Sequence, residues 1–169
     1  MSKKGVFYGS SSGNTQTAAE SIATSLDIDN ADVFDIAKAT QELLQSYDVL
    51  ILGSSTWGLG DLQDDWDGFI EKLKKMNLSE KKVAVFGTGD SSSYSDTFCD
   101  AIGIIAEAAQ QAGATIIGKV SNVSDYSFDS SRAIWDGIFC GLPLDEDNES
   151  GKTDERINNW IAQLKSECD

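Results

Sequence analysis

The sequence contains no histidine, and its three cysteines are far apart. Without histidine, zinc sites and histidine-based catalytic triads are not expected. Cys99, Cys140 and Cys168 form neither a CxxC pair nor a disulfide framework, which is typical of a reducing compartment. Cys99 and Cys140 stand in apolar patterns and are predicted to be core thiols. Cys168, next to the last residue, is predicted to be exposed and able to form dimers on air oxidation.

Long apolar runs and basic residues are also scarce. No run approaches the roughly 18 apolar residues that a membrane helix needs, and the first apolar stretch is too short for a signal peptide. We therefore expect a cytoplasmic protein without membrane contact. With 28 acidic and 13 basic side chains, the formal net charge is -15, which argues against nucleic acid and favours a cationic partner protein. The alternative is that the acidity only keeps the protein soluble.

Short apolar runs alternate with helix-like segments along the whole chain. Strands are predicted at 5–9, in ADVFDI, at 47–53, at 81–87, in ATIIGKV and at 138–144. Helices are predicted at 14–26, at about 62–75, at 96–113 with Gly113 as a left-handed cap, and in TDERINNWIAQLKSE with Thr153 as N-cap. Such alternation implies one α/β domain over residues 1–169, a doubly wound parallel sheet with helices on both faces.

The loops after the first, third and fourth predicted strands should share one edge of this sheet. Ligands of doubly wound sheets bind beyond the carboxyl ends of the strands, where the strand order reverses. The segment between about Ser121 and Gly137 has no clean periodicity and is predicted to be a loop inserted near the last strand. We therefore expect the ligand-binding residues to lie in these three loops.

The first loop combines hydroxyl donors with residues that allow tight turns, just before a predicted helix whose positive dipole end favours an anion. Its residues are Ser10, Ser11, Ser12, Gly13, Asn14 and Thr15. No Lys or Arg occurs between residues 5 and 37, and neither a Gly-Lys-Ser/Thr nor a GxGxxG pattern is present. Neutral donors suit one monoester phosphate rather than a polyphosphate. The alternative is a polar turn that only caps the helix.

The second and third loops each expose an aromatic residue among small ones. Trp57 lies in GSSTWGLGD and could stack on a flat ring, or could instead be a lid folded onto the core. Tyr94 lies in GTGDSSSYSD, where two glycines allow the backbone to approach a ligand. Together the two aromatic side chains could bracket one ring system at the edge of the sheet.

These motifs resemble those of long-chain flavodoxins, and the similarity runs the whole chain through FYGSSSGNT, STWGLG, VFGTGDSSSYSDTFCDAIG and GLPLDEDNESGKTDERINNWIAQLKSE. The resemblance implies a five-stranded sheet of order 2-1-3-4-5 with an insertion in the last strand, an arrangement that is the family's own. It also implies that FMN is the cofactor. By the same resemblance, the protein would be a low-potential one-electron carrier that uses the semiquinone/hydroquinone couple, and not an enzyme. The carrier would be a monomer and would replace a ferredoxin between redox enzymes.

The resemblance assigns roles to particular residues. Residues 10–15 would hold the FMN phosphate, and Trp57 and Tyr94 would cover the two faces of the flavin. The backbone around Ser55, Thr56, Gly58, Thr88, Gly89 and Asp90 would meet the polar edge of the flavin, and Asp147 would contact the ribityl chain. Since a flipped turn after the aromatic favours a positive φ, we hypothesise that Gly58 stabilises the neutral semiquinone.

Acidic residues in or after the loops would make the reduced flavin a strong reductant and would form a docking surface for basic faces of redox partners. They are Asp61, Asp64, Asp65, Asp67 and Asp90. Expected partners are ferredoxin/flavodoxin-NADP reductases and pyruvate:ferredoxin-type oxidoreductases. For each acid alone, a solvated helix face is the simpler interpretation.

Two other functions fit the same fold. A flavin-dependent NAD(P)H:quinone reductase would need a substrate cavity over the flavin, which stacking by both aromatic side chains would block. A phosphoryl-accepting signalling domain needs an acidic pair after the first strand, and Ser10 and Ser11 stand there instead.

Overall fold

The computed structural model describes residues 2–168, and they form a parallel sheet packed with helices. The strands are β1 (Lys4–Gly9), β2 (Val33–Asp35), β3 (Val49–Trp57), β4 (Asp61–Leu62), β5 (Lys82–Thr88), β6 (Thr115–Ile117), β7 (Ile134–Trp135), β8 (Ile138–Phe139) and β9 (Leu142–Leu144). The helices are α1 (Asn14–Ser25), α2 (Gln41–Gln45), α3 (Asp64–Lys74), α4 (Asp100–Gln111), α5 (Glu146–Glu149) and α6 (Thr153–Glu167).

The sheet has the order β2-β1-β3-β5-β6, and β9 also pairs with β5. β6 pairs with residues 82–84 of β5, and β9 pairs with residues 86–88, both in parallel. The fifth position of the sheet is therefore one strand in two pieces, divided by the inserted segment. The predicted doubly wound fold and the insertion in the last strand are both confirmed.

Continuous apolar runs place β3 and β5 at the centre of the sheet. Leu50, Ile51 and Leu52 are fully buried, as strands covered on both faces require. Helix α1 packs with α6 on one face, and α3 packs with α4 on the other. The buried residues of all these elements form a single hydrophobic core.

The inserted segment is folded back onto the domain by aromatic packing. It contains β7, which pairs antiparallel with β8 directly after the segment. The ring centroid of Tyr126 lies 5.0 Å from that of Phe139 and 6.1 Å from that of Phe98. The buried Arg156 of α6 stacks on Tyr126 at 3.8 Å and donates to the Asp125 carbonyl oxygen at 2.9 Å. A segment without periodicity is thus ordered by long-range contacts.

Three predicted helix boundaries are wrong. Cys99 adopts a left-handed conformation with a φ of 52°, so α4 begins at Asp100 and not at residue 96. Thr153 has helical backbone angles and is the first residue of α6, so Lys152 and not Thr153 is the N-cap. The Thr153 hydroxyl donates to the Glu146 carboxylate instead of capping the helix. Leu62, predicted as the start of a helix, pairs with Thr56 near the end of β3 instead. Gly113, with a φ of 105°, closes α4 as predicted.

The prediction that Cys168 is exposed is also wrong, since only 2% of this residue is accessible. Contacts of Glu167 hold the end of α6 on the sheet: its carbonyl oxygen accepts from Lys82 Nζ, and its Oε1 accepts from Gly118 N, both at 2.9 Å. Cys99 and Cys140 are buried as predicted. Burial raises the pKa of the Cys140 thiol to about 12. No helix within residues 2–168 is long and apolar enough to cross a membrane.

Candidate functional site

The loops after β1, β3 and β5 meet at the carboxyl edge of the sheet, where they surround a cavity of about 160 Å³ together with the chain after β9. The cavity is lined by Ser12, Asn14, Ser55, Thr56, Trp57, Thr88, Gly89, Asp90, Tyr94, Glu146 and Asp147. Most of the predicted site residues are therefore brought together. Those that do not line this cavity are Ser10, Ser11, Gly13, Thr15 and Gly58.

The first loop presents hydroxyl and backbone donors at the start of α1. Ser10 Oγ accepts from Gly13 N at 3.0 Å, which closes the loop on itself. Gly13 has a φ of 96°, and a Cβ there would meet no atom within 4 Å. Because Gly13 offers no side chain to cap α1, the first backbone N–H groups of the helix remain available to a ligand. Ser11, Ser12 and Asn14 are exposed beside them.

Thr15 differs from the other hydroxyl residues of this loop because it is buried. Its Oγ1 lies 3.0 Å from Thr88 Oγ1, so that a hydrogen bond joins the first turn of α1 to the end of β5. Thr15 is 1% exposed and Thr88 is 7% exposed. This side chain therefore connects the first loop to the third rather than lying open at the surface.

Trp57, predicted to lie in the second loop, is the last residue of β3, and its side chain is held away from the core. The side chain is 44% exposed, and its Nε1 donates to Ser55 Oγ at 2.7 Å. The loop is anchored below, where Ala101 N donates to Thr56 Oγ1 at 3.1 Å. The interpretation of Trp57 as a lid folded onto the core is disfavoured by this exposure.

The turn after Trp57 depends on two glycines with positive φ. Gly58 has a φ of 52° and Gly60 a φ of 95°. A Cβ at Gly60 would lie 2.6 Å from Asp100 Oδ2, whereas one at Gly58 would meet only Asp61 Oδ2, at 3.2 Å. Conformation rather than space therefore selects glycine at position 58.

The third loop is fixed by the Asp90 carboxylate. Its Oδ1 accepts from Ser93 N at 3.0 Å, from Asn148 Nδ2 at 2.8 Å and from Ser92 N at 3.1 Å. The bond from Ser93 N, followed by that from Asn148, holds the pKa of Asp90 below its usual value. The turn leaves Tyr94 43% exposed beside the cavity.

The chain after β9 carries residues that sequence reasoning missed. Asp145 is fully buried and accepts from Ser91 N at 3.3 Å, from Ser91 Oγ and from Asn148 N at 3.1 Å. The sequence did contain a signal for Asp145, because it stands between a buried strand and a helix, where N-cap aspartates occur. Asp147 is exposed, but partial desolvation of its carboxyl, followed by the charges of Asp90 and Asp145, raises its pKa.

Gln63 was missed as well, and it joins the first loop to α3. It is 2% exposed, its Nε2 donates to Ser11 Oγ at 3.1 Å, and its Oε1 accepts from Asp65 N at 3.0 Å. Glutamine is not among the residues that usually cap helices, so the local pattern carried no signal for it.

Comparison with known proteins agrees with this architecture. The family model for flavodoxin matches residues 6–160. A flavodoxin from Nostoc sp. is 45% identical over 168 residues, which cover 99% of this chain and 98% of that protein. Flavodoxin 1 of Escherichia coli K12 is 42% identical, over 99% of this chain and 95% of that protein.

Solved structures give the same result. The crystal structure of Fusobacterium nucleatum flavodoxin bound to flavin mononucleotide superimposes with a TM-score of 0.89 at 26% identity, covering 99% of each chain. The K13G mutant of that flavodoxin, also bound to flavin mononucleotide, gives a TM-score of 0.90 at 27% identity. The protein described here therefore belongs to the flavodoxin family.

Proposed function

We propose that this chain is an electron-transfer protein that binds FMN non-covalently at the carboxyl edge of its sheet and carries single electrons between redox enzymes. The observation that carries the proposal is the cavity lined by all three loops, with two half-exposed aromatic side chains, Trp57 and Tyr94, beside it. FMN supplies the one-electron chemistry, and the protein supplies position, exclusion of water and electrostatics.

The residues at the site fit the parts of FMN. Open backbone N–H groups at the start of α1 and the hydroxyls of residues 10–12 suit the phosphate. Trp57 and Tyr94 would cover the flavin ring, and the backbone at residues 55–58 and 88–90 would contact its polar edge. Asp147, at the rim of the cavity, would contact the ribityl chain. Thr15 would act through its bond to Thr88 rather than as an open donor.

The charges around the site explain why the carrier would be strongly reducing. The loops contain no Lys or Arg, whereas aspartates stand in or just after them, at Asp61, Asp64, Asp65, Asp67 and Asp90. Nearby negative charge disfavours the negative charge that a flavin gains on full reduction. Each tenfold shift of that equilibrium corresponds to about 1.4 kcal/mol.

The alternative, a flavin-dependent NAD(P)H:quinone reductase on the same scaffold, is not favoured. Such an enzyme needs room above the flavin for a second substrate. Trp57 is tied to Ser55 by a hydrogen bond of 2.7 Å, which favours a fixed aromatic cover over an open substrate cavity.

Partners are proposed from charge. With a net charge of -15, the protein suits basic faces of redox enzymes such as ferredoxin/flavodoxin-NADP reductases and pyruvate:ferredoxin-type oxidoreductases. The single hydrophobic core supports one domain, and a monomer is what the family resemblance implies. The unpaired buried thiols of Cys99 and Cys140 support the cytoplasm as the working compartment.

An anaerobic reductive titration of the purified protein tests this function. The released flavin is first identified as FMN, and the visible spectrum is then followed during stepwise reduction. A long-wavelength band that rises and falls before the flavin is bleached is expected for a one-electron carrier. Direct two-electron bleaching by NAD(P)H would instead support the reductase. A protein that does not bind added FMN would contradict both functions.

A further inference from the structure

Gln63 occupies a buried position between the first loop and the beginning of α3. It follows β4 directly, and its backbone N–H donates to Ser54 Oγ in the second loop at 3.3 Å. A Cβ on Gly9, at the end of β1, would lie 2.3 Å from Gln63 Oε1. The amide group is therefore packed directly against the main chain from which the first loop departs.

The orientation of this amide is fixed by the helix that it caps. Asp65 N and Trp66 N both donate to Oε1, at 3.0 and 3.4 Å. Backbone N–H groups are donors only, so the side of the amide that faces them must be its oxygen. The nitrogen consequently faces the other way, where Nε2 donates to Ser11 Oγ at 3.1 Å and to Asp65 Oδ2 at 2.9 Å.

The bond to Gln63 decides what the Ser11 hydroxyl can offer a ligand. A serine hydroxyl has one proton to donate and two lone pairs that accept. Since one lone pair of Ser11 Oγ is occupied by Gln63 Nε2, the proton is free to be donated elsewhere. Ser11 is exposed, so that this direction is open to solvent or to an anion.

We propose that Gln63 is a positioning residue that aims the Ser11 hydroxyl proton at the FMN phosphate. The inference rests on the proposed function, in which residues 10–15 hold that phosphate. Gln63 does not touch the ligand itself: it acts through Ser11, and it ties the phosphate loop to the start of α3.

The test is Gln63→Glu, with FMN and riboflavin binding measured on the apoprotein by flavin fluorescence. A carboxylate still accepts from Asp65 N and Trp66 N, but it loses the bond to Asp65 Oδ2 and repels that carboxylate. It cannot donate to Ser11 and accepts the Ser11 proton instead. FMN affinity is expected to fall about tenfold or more, as for the loss of a hydrogen bond to a charged group. Riboflavin, which has no phosphate, should bind as tightly as to the unaltered protein.

The charge that Gln63→Glu introduces could weaken phosphate binding without Ser11, and a double-mutant cycle separates the two effects. In a Ser11→Ala background, the charge effect and the lost bond to Asp65 remain while the Ser11 contact is absent, so Gln63→Glu should reduce FMN affinity less than it does in the unaltered protein. Gln111→Glu, at an exposed glutamine in the last turn of α4, is the matched control for charge and should bind both flavins normally.

Two results would overturn the inference. Equal losses of FMN affinity with and without Ser11 would show that Gln63 does not act through that hydroxyl, and equal losses for FMN and riboflavin would show a general structural role. If Gln63→Glu does not fold, Gln63→Met, which is uncharged and of similar length, is judged by the same ratio of FMN to riboflavin affinity. If the unaltered protein itself fails to prefer FMN over riboflavin, the proposed phosphate loop is wrong, and the inference falls with it.

Discussion

Backbone conformation at single residues shapes the turn next to Trp57. Gly58 has a φ of 52° and has almost no neighbour that a Cβ would disturb, apart from Asp61 Oδ2 at 3.2 Å. Substitution there tests conformation without a confounding clash. The position therefore isolates the effect of the turn on the flavin from the effect of packing.

We expect Gly58→Thr to destabilise the turn by about 1–2 kcal/mol, because a β-branched residue is strained at positive φ. Urea unfolding of the apoprotein should show this loss. In reductive titrations, the yield of one-electron-reduced flavin should fall. Gly58→Asn is the control, since asparagine tolerates the left-handed conformation and should lose less. An unchanged yield of one-electron-reduced flavin in the Gly58→Thr protein would refute the role of this glycine.

Charge acts at the residue scale through Asp147, whose pKa is raised by partial desolvation of its carboxyl and then by Asp90 and Asp145. The folded protein holds this proton more tightly than the unfolded chain, so stability falls as pH rises from the unfolded pKa through the folded pKa. Asp147→Asn should therefore make the apoprotein more stable than the unaltered protein at pH 7. The difference should vanish below about pH 3, where the carboxyl is protonated in both states.

Thermal unfolding of the apoprotein as a function of pH measures this effect. Asp129→Asn, at an exposed carboxylate of the inserted segment, is the control for a simple change of net charge. If both variants gain the same stability at pH 7, the effect belongs to the overall charge and not to the cluster around Asp147.

At the scale of elements, the loops are held together by hydrogen bonds between distant parts of the chain. Thr15 in α1 and Thr88 at the end of β5 share a buried bond of 3.0 Å across 73 residues. Asn148 of α5 donates to Asp90 in the third loop at 2.8 Å. The geometry of the site therefore depends on α1, β5 and α5 together.

Thr88→Val should destabilise the apoprotein by about 1–3 kcal/mol, because it leaves the buried hydroxyl of Thr15 without its partner. The double variant Thr15→Val with Thr88→Val should lose less than the sum of the two single variants. Urea unfolding of the four proteins measures the coupling. Thr17→Val, at an exposed threonine of α1, should change stability by less than about 0.5 kcal/mol. Additive losses would mean that the bond contributes nothing.

For the whole molecule, the net charge of -15 and its distribution govern encounters with partners. Asp61 pairs with Trp57 across β3 and β4, and so lies beside the exposed aromatic. Asp27 follows the end of α1, which runs away from the carboxyl edge of the sheet, and so lies at the opposite edge. These two exposed aspartates allow position to be separated from charge.

Electron transfer to a basic redox partner should slow as NaCl rises from about 10 to 300 mM, because salt screens the attraction. At low salt, Asp61→Asn should reduce the second-order rate constant by about twofold or more. Asp27→Asn, which removes the same charge and keeps a side chain that tolerates its φ of 58°, should change it little. Stopped-flow kinetics measures the rate constants of both variants. Equal decreases for Asp61→Asn and Asp27→Asn would show that net charge alone governs the encounter.

Periodicity in the sequence determined much of this protein. Alternating apolar runs predicted the parallel sheet, and the loops after β1, β3 and β5 followed, because parallel strands place their carboxyl ends at one edge. Glycines at turns and small polar residues in the first loop predicted where donors would lie. These are local properties, encoded within a few residues.

Tertiary structure alone decided which distant groups meet. Two hydrogen bonds join residues that are far apart in the sequence, one between Thr15 and Thr88 and one between Gln63 and Ser11. The burial of Cys168 also depends on the packing of distant elements. The displaced start of α4 likewise follows from Cys99, which is fully buried in a left-handed conformation. Burial and long-range hydrogen bonds depend on how the helices and strands pack together. A local sequence pattern does not specify which distant residues pack against it.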